Sequence, residues 1–331
     1  MSRLDKLLAM TSDEMIQFDM SGDKKISIAK FQNGNWSIAT YSNSGIVEKI
    51  YDFEIGSISK TFVGLLVSKL VKENKIGLSD PISKYLDLDK NRYYPTIERL
   101  LTHTSGYKAF YFEPEMISTK LSRTTSNDFF GISREKILKR INKVKLIDKD
   151  YKFKYSNFGI SGLGLVIEKI CNDNFTNIMN NFIKNELHLK NTEVAVQNGN
   201  LNKYWKWKEN DGYIPAGAII SNIKDISSYL DIYLNESKEY AKDTYSNLKE
   251  VNANNNIFIK LNIRMDSIGM TWIHDDTNKF LWHNGGTSAY SSYVAFSDDK
   301  KRAVVILSNL SPKEKIPVTL IATKVMAELK A

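Results

Sequence analysis

The spacing of apolar positions changes period twice along the chain. A short N-terminal helix is expected first. Ile26, Ile28 and Phe31 then alternate with other residues up to Asn33-Gly34, and Trp36 and Ile38 resume the alternation, which predicts a β-hairpin over residues 25 to 40. A further strand is expected near Val47 to Ile55, running into Gly56-Ser57. From there the spacing turns helical: Ile58, Phe62, Val63, Leu65, Leu66, Val67 and Leu70 nearly encircle the axis, the pattern of a helix buried between layers. Between about Ser79 and Leu234 helical patterns dominate, interrupted by Ser79-Asp80-Pro81, Thr104-Ser105-Gly106 and Asn172-Asp173-Asn174. After Asn252 to Asn256 the period returns to two. Strands are expected at 266–274, 279–283, 289–296 and 302–309, with a turn at Asp298-Asp299-Lys300 and a closing helix from about 315 to 330.

Strands at both ends with helices between them predict an α+β fold. One antiparallel sheet is built from residues 1–78 and 250–331, and a mostly helical region, residues 79–249, is inserted into it. The cleft between the two is the natural place for a site.

Composition narrows the function classes. The 331 residues are 42% hydrophobic and 25% charged with six prolines, the profile of a globular protein able to bury a large core. A net charge of +8 raises the question of a nucleic-acid partner. The basic residues are scattered, however, apart from Lys139 to Lys145 and the aromatic-interleaved run Lys203 to Lys208, and no groove-reading or base-stacking module accompanies either, so no nucleic acid is expected. The single cysteine, Cys171, excludes an internal disulfide and reads as a small buried hydrophobe. His103, His188, His274 and His283 show no metal-ligand spacing. Neither an apolar leader nor a stretch of membrane-spanning length stands out, so the chain as given is expected to be soluble and cytoplasmic, or extracytoplasmic had a leader been removed. Oligomeric state leaves no mark on the sequence.

Ser-x-x-Lys occurs eight times, so the motif alone selects nothing. At Ser57 a strand ends in Gly56 and a strongly apolar helix begins with the serine in its first turn. Residues i and i+3 share a helix face, which brings the Lys60 amine within reach of the Ser57 hydroxyl beside the positive end of the helix. A buried lysine loses affinity for its proton and can act as a base. Two readings stay open at this point: nucleophile and base, or an N-cap serine followed by a solvated lysine.

The wider context resembles a known family. Phe53-Glu54-Ile55-Gly56-Ser57-Ile58-Ser59-Lys60-Thr61-Phe62 is similar to the active-site segment of class C β-lactamases and the related serine D-peptidases and esterases, the penicillin-recognising proteins. Leu100-Leu101-Thr102-His103-Thr104-Ser105-Gly106-Tyr107 resembles the loop that follows there. Of four Tyr-x-Asn triplets, Tyr155-Ser156-Asn157 matches, because it precedes the Gly-rich run Phe158 to Leu165. The strand Trp282 to Phe296 resembles the family's Lys-Thr-Gly strand, with His283 in place of the lysine, Asn284 of the threonine, then Gly285 and Gly286. Pro215 to Asn222 followed by Asp225 resembles the turn lining the acyl pocket, which makes Tyr204, Trp205, Trp207 and Tyr213 candidate pocket walls.

The resemblance implies a β-lactamase/transpeptidase-like fold and acyl transfer through Ser57, with Lys60 and Tyr155 handling protons and the Tyr155 phenolate beside an ammonium as a plausible form. It further implies an oxyanion hole from the Ser57 and Gly286 N–H groups, and substrate contacts from Asn157, His283, Asn284 and Gly285. No metal or other cofactor is implied. Histidine in place of a fixed cation favours a D-peptidase or esterase over an efficient β-lactamase. The partner would be a small-molecule or peptide ester or amide; a catalytically weak module binding penicillin or peptidoglycan fragments is the alternative.

Overall fold

The computed structural model describes residues 3–18, 20–195 and 201–329. Helices α1 (Arg3–Ala9) and α2 (Ser12–Gln17) lead into β1 (Lys25–Gln32), β2 (Asn35–Ser42) and β3 (Gly45–Val47), and β4 (Asp52–Glu54) precedes α3 (Ser59–Lys72). The middle carries α4 (Ile97–Leu101), α5 (Pro114–Ser122), α6 (Arg134–Lys143), α7 (Asn157–Cys171), α8 (Phe175–Asn181), the short strands β5 (Glu193–Val194) and β6 (Ile219–Asn222), and α9 (Ile223–Leu234). The last third runs through α10 (Ala241–Thr244), β7 (Lys249–Glu250), α11 (Asn256–Lys260), β8 (Ser267–Ile268), β9 (Ile273–Asp275), β10 (Phe280–Gly286), β11 (Ser291–Ser297), β12 (Arg302–Ser308) and α12 (Val318–Glu328).

One antiparallel sheet joins the two ends of the chain in the order β3-β2-β1-β12-β11-β10-β9-β8-β7. Its hairpin β1–β2 closes through Asn33 and Gly34, both at positive φ, the two-residue turn that the Asn-Gly pair predicts. Both faces are covered. Along β12, Ala303, Val305 and Leu307 join Phe62 of α3 and Leu230 of α9, while Val304 and Ile306 join Met15 of α2 and Ile321 and Val325 of α12. Alternate residues thus serve opposite cores, which is why the central strands read as continuous apolar runs. Helix α3 is buried almost all round and lies so close to the loop after β8 that a Cβ on Gly64 would sit 2.5 Å from the Met270 carbonyl oxygen.

Four expectations change in detail. The strand near Val47 to Ile55 is two strands: β3 ends the large sheet, the exposed Glu48 and Lys49 carry the chain away, and β4 pairs with β6 in a second sheet of order β4-β6-β5. The 266–274 strand is broken into β8 and β9, with Gly269 N–H donating to the Trp272 carbonyl at 2.8 Å and Thr271 at φ 74°. The 279–283 strand runs on through Gly286, and the closing helix starts after Pro317. No described helix is long and apolar enough to cross a membrane.

Candidate active site

The site begins with a backbone constraint. Between β4 and α3, Gly56 takes φ +50°, and a Cβ there would lie 2.7 Å from the Gly286 nitrogen. Gly285 is pressed against the same turn: a Cβ on it would lie 2.0 Å from the Ile55 carbonyl oxygen, which also accepts the Ser292 hydroxyl at 2.8 Å. Glycine at both positions lets the end of β10 touch the strand-to-helix turn, so Ser57 and Gly286 are neighbours.

Ser57 sits half-buried in a 3-10 turn, Gly56–Ile58, that runs into α3. Lys60, one turn on, is fully buried, with Nζ 2.9 Å from Ser57 Oγ and donating to the Ala216 carbonyl at 2.6 Å. No ion pair reaches Lys60 among the described residues, and burial holds its pKa well below the usual lysine range. The Tyr155 hydroxyl is hydrogen-bonded to Ser57, and the Tyr155 ring centroid lies 4.9 Å from Lys60 Nζ. Burial raises the Tyr155 pKa above its ordinary value. Burial thus disfavours the charged form of each, the ammonium of Lys60 and the phenolate of Tyr155.

Two histidines back this group. His103, at φ 55°, brackets Tyr155: its carbonyl accepts the Lys154 N–H at 2.8 Å and its Nδ1 accepts the Ser156 N–H at 3.2 Å. The rings of His103 and Tyr155 lie 4.5 Å apart. Accepting at Nδ1 places the proton of neutral His103 on Nε2. His283 is the mirror case: Nδ1 lies 2.7 Å from the Asn284 carbonyl, which can only accept, so Nδ1 carries the proton and Nε2 a lone pair. Burial pushes His283 down to about 3 and holds His103 well below its usual range. His283 is 1% exposed and packs behind Tyr155, ring centroids 6.3 Å apart.

Two cavities meet at Ser57 and Gly286. The smaller, about 40 Å³, is lined by Asn157, Ala216 and Gly217 with the aromatic walls Phe129, Trp205, Trp207 and Tyr213. The larger, about 510 Å³, is lined by Tyr155, Asn284 and Gly285 and then by residues of α11, α12 and the sheet. Asn284 Nδ2 donates to Thr319 Oγ1 of α12 at 2.9 Å. Of the sequence-derived candidates, Ser57, Lys60, Tyr155, Asn157, Asn284, Gly285 and Gly286 are thus brought together, whereas His283 lines neither cavity and Tyr204 lines a separate open groove with Ser126 and Ser288. Ser156 caps α7, accepting the Gly159 N–H at 2.8 Å, so a helix entry and a site residue coexist in one triplet.

Glu54 is a site neighbour that pattern reasoning passed over. It is buried, accepts the Trp205 N–H at 2.8 Å and the Thr287 hydroxyl at 2.7 Å, and burial pushes its carboxyl up to about 7. It therefore ties β4 to a wall of the small cavity and to the residue after Gly286. The one available signal was an acidic residue between the apolar Phe53 and Ile55, directly before the Gly56-Ser57 turn. No cluster of His, Cys, Asp and Glu fit to hold a metal ion occurs among the described residues.

The sequence profile of the Beta-lactamase family matches residues 53–322. Protein flp of Staphylococcus aureus strain MRSA252 is 24% identical over 292 residues, covering 80% of this chain and 54% of that protein, so the chain spans about half the length of such curated relatives. The octameric penicillin-binding protein homologue from Pyrococcus abyssi shares the fold with a TM-score of 0.74 at 19% identity, over 98% of this chain and 77% of that one. A D-stereospecific amidohydrolase from Streptomyces sp. superposes with a TM-score of 0.71 at 17% identity, over 91% of this chain and 93% of that one.

Proposed function

As this chain belongs to the Beta-lactamase family, we propose that it is a serine hydrolase that forms an acyl-enzyme on Ser57 with an ester or amide substrate. The observation that carries the reading is Ser57 Oγ held by both Lys60 Nζ, at 2.9 Å, and the Tyr155 hydroxyl. A buried neutral amine accepts the serine proton as Oγ attacks the carbonyl carbon. The Ser57 and Gly286 N–H groups flank the developing oxyanion, where one such donor contributes roughly 3 to 4 kcal/mol to the transition state. Tyr155 then protonates the departing atom as its bond to the carbonyl carbon breaks. Water attacks the acyl-enzyme in the second half, giving its proton to the same relay and returning Ser57 to the free hydroxyl.

His283 is a neutral buried group, so the site carries no fixed cation where a carboxylated β-lactam would need one. Esters and amides, such as the D-configured amides that the name of the Streptomyces D-stereospecific amidohydrolase points to, suit the site better than penicillins. A fluorophosphonate probe and a fluorescent penicillin, each followed by intact mass, test this. One adduct on the native protein and none on Ser57→Ala is expected, faster with the fluorophosphonate. Absence of any adduct overturns the proposal in favour of a module that binds without acylation.

A further inference from the structure

The two cavities at Ser57 differ in size, in chemistry and in which proton donor they touch. Because Ser57 and Gly286 border both, a carbonyl poised on Ser57 sends one substituent into each. The departing atom has to be protonated as its bond breaks, and the group positioned to do so is Tyr155, which keeps its proton through burial and lines the large cavity but not the small one. The leaving group therefore exits on the large side. The small side, about 40 Å³, has room for roughly three water-sized groups. The large side offers about 510 Å³ walled by Phe258, Leu261, Ile263, Trp282, Val318 and Leu320, and no charged side chain lines it among the described residues.

We infer that the natural substrate couples a short acyl group to a long apolar leaving group, an alcohol or an amine, seated in the cavity between β10, α11 and α12. The inference rests on the acyl-enzyme reading of Ser57. In balance, the Ser57 proton passes to the Lys60–Tyr155 relay as the Ser57 oxygen bonds to the carbonyl carbon. The carbonyl–leaving-atom bond then breaks, the leaving atom takes a proton from Tyr155, and one water releases the short acid. Each methylene moved from water into such a wall is worth about fourfold in kcat/KM.

Isomeric substrates test the assignment without altering the protein. Hexyl acetate and ethyl hexanoate have the same atoms and exchange which side is long; N-hexylacetamide and N-ethylhexanamide do the same for an amine. The expected result is kcat/KM at least about tenfold higher for hexyl acetate than for ethyl hexanoate, with the amide pair ordered the same way if an amine is the natural leaving group and turned over far more slowly if an alcohol is. In Leu261→Asp, at the half-buried rim, the ratio of hexyl to methyl acetate falls by about fourfold or more. Parity, the reverse order, an unchanged ratio in that variant, or fluorophosphonate labelling without turnover of any of the four overturns the inference and leaves the Ser57 reading standing. Neither labelling nor turnover overturns both.

Discussion

The two walls that face each other across Ser57 are built by different physics. On the side of the helical region, polar groups are pinned one by one. Lys60 Nζ is bound to the Ala216 carbonyl, Tyr155 is bracketed by two bonds to His103, and the Trp205 N–H is held by Glu54. On the side of β10, α11 and α12, the surface is a continuous apolar face, tied by Asn284 to Thr319. Groups that must meet a reacting atom within fractions of an ångström are fixed by hydrogen bonds, whose direction and length are specific. A wall that selects by size and apolarity needs only shape, and side-chain packing supplies it.

If the pinned wall is the chemical one, its largest sensitivity is the buried amine. Lys60→Met removes the base while keeping the volume, and kcat is expected to fall by ~10³-fold or more. Stability is expected to move the other way. The folded pKa of Lys60 is depressed, so between that value and the unfolded ~10.4 the native state binds fewer protons than the unfolded one, and stability of the parent rises with pH. Methionine removes that penalty. Its Tm advantage is largest near neutral pH and shrinks toward ~10.4; thermal unfolding of both proteins across that range measures it, and a lower Tm for the variant at pH 7 would mean that the amine is charged and paired.

A smaller but still large effect is expected where the two walls are joined. Gly56→Ala places a Cβ 2.7 Å from the Gly286 nitrogen at φ +50°, so the turn must move off β10. The expected cost is ~1–3 kcal/mol of stability and ~10²-fold in kcat/KM from misplacement of Ser57 against Gly286. Denaturant unfolding and turnover of the same preparation separate the two. Parent-like kcat/KM in a folded variant would mean that the contact between Gly56 and Gly286 does not set the geometry of the centre.

How much of this was legible in the sequence depends on the range of the interaction. The wrap of apolar residues on α3 announced a helix buried on all sides, and the change of pattern after Asn256 announced β10 to β12 as strands, because each pattern is written within one element. Ser57 and Lys60 were within reach for the same reason, being one helical turn apart. The bond of Glu54 to Trp205 spans 151 positions and that of Asn284 to Thr319 spans 35, and neither has a local signature. His283 was expected to face substrate from its place in a strand motif. Its position behind Tyr155 follows from how β10 is pressed onto the Gly56 turn, which no period reveals.

The gentlest probe of the comparison is Glu54, which touches the pinned wall without entering either cavity. Its carboxyl is pushed up to about 7 by burial, against ~4.3 when unfolded. A raised carboxyl means that the native state holds its proton where the unfolded state has lost it. Its contribution is full below the unfolded pKa and is lost as pH rises through about 7, so stability falls with pH across that window. Above it, the ionised carboxylate still accepts from Trp205 and Thr287 but is poorly solvated. Glu54→Gln mimics the protonated form: its amide oxygen accepts the Trp205 N–H and its amide nitrogen donates to Thr287 Oγ1. Thermal unfolding at pH 5 and pH 8 is expected to show a smaller drop in the variant than in the parent, with turnover changed by less than ~10-fold. Parallel profiles would remove Glu54 as the titrating link between β4 and the Trp205 wall, leaving the apolar and polar sides of Ser57 to be held independently.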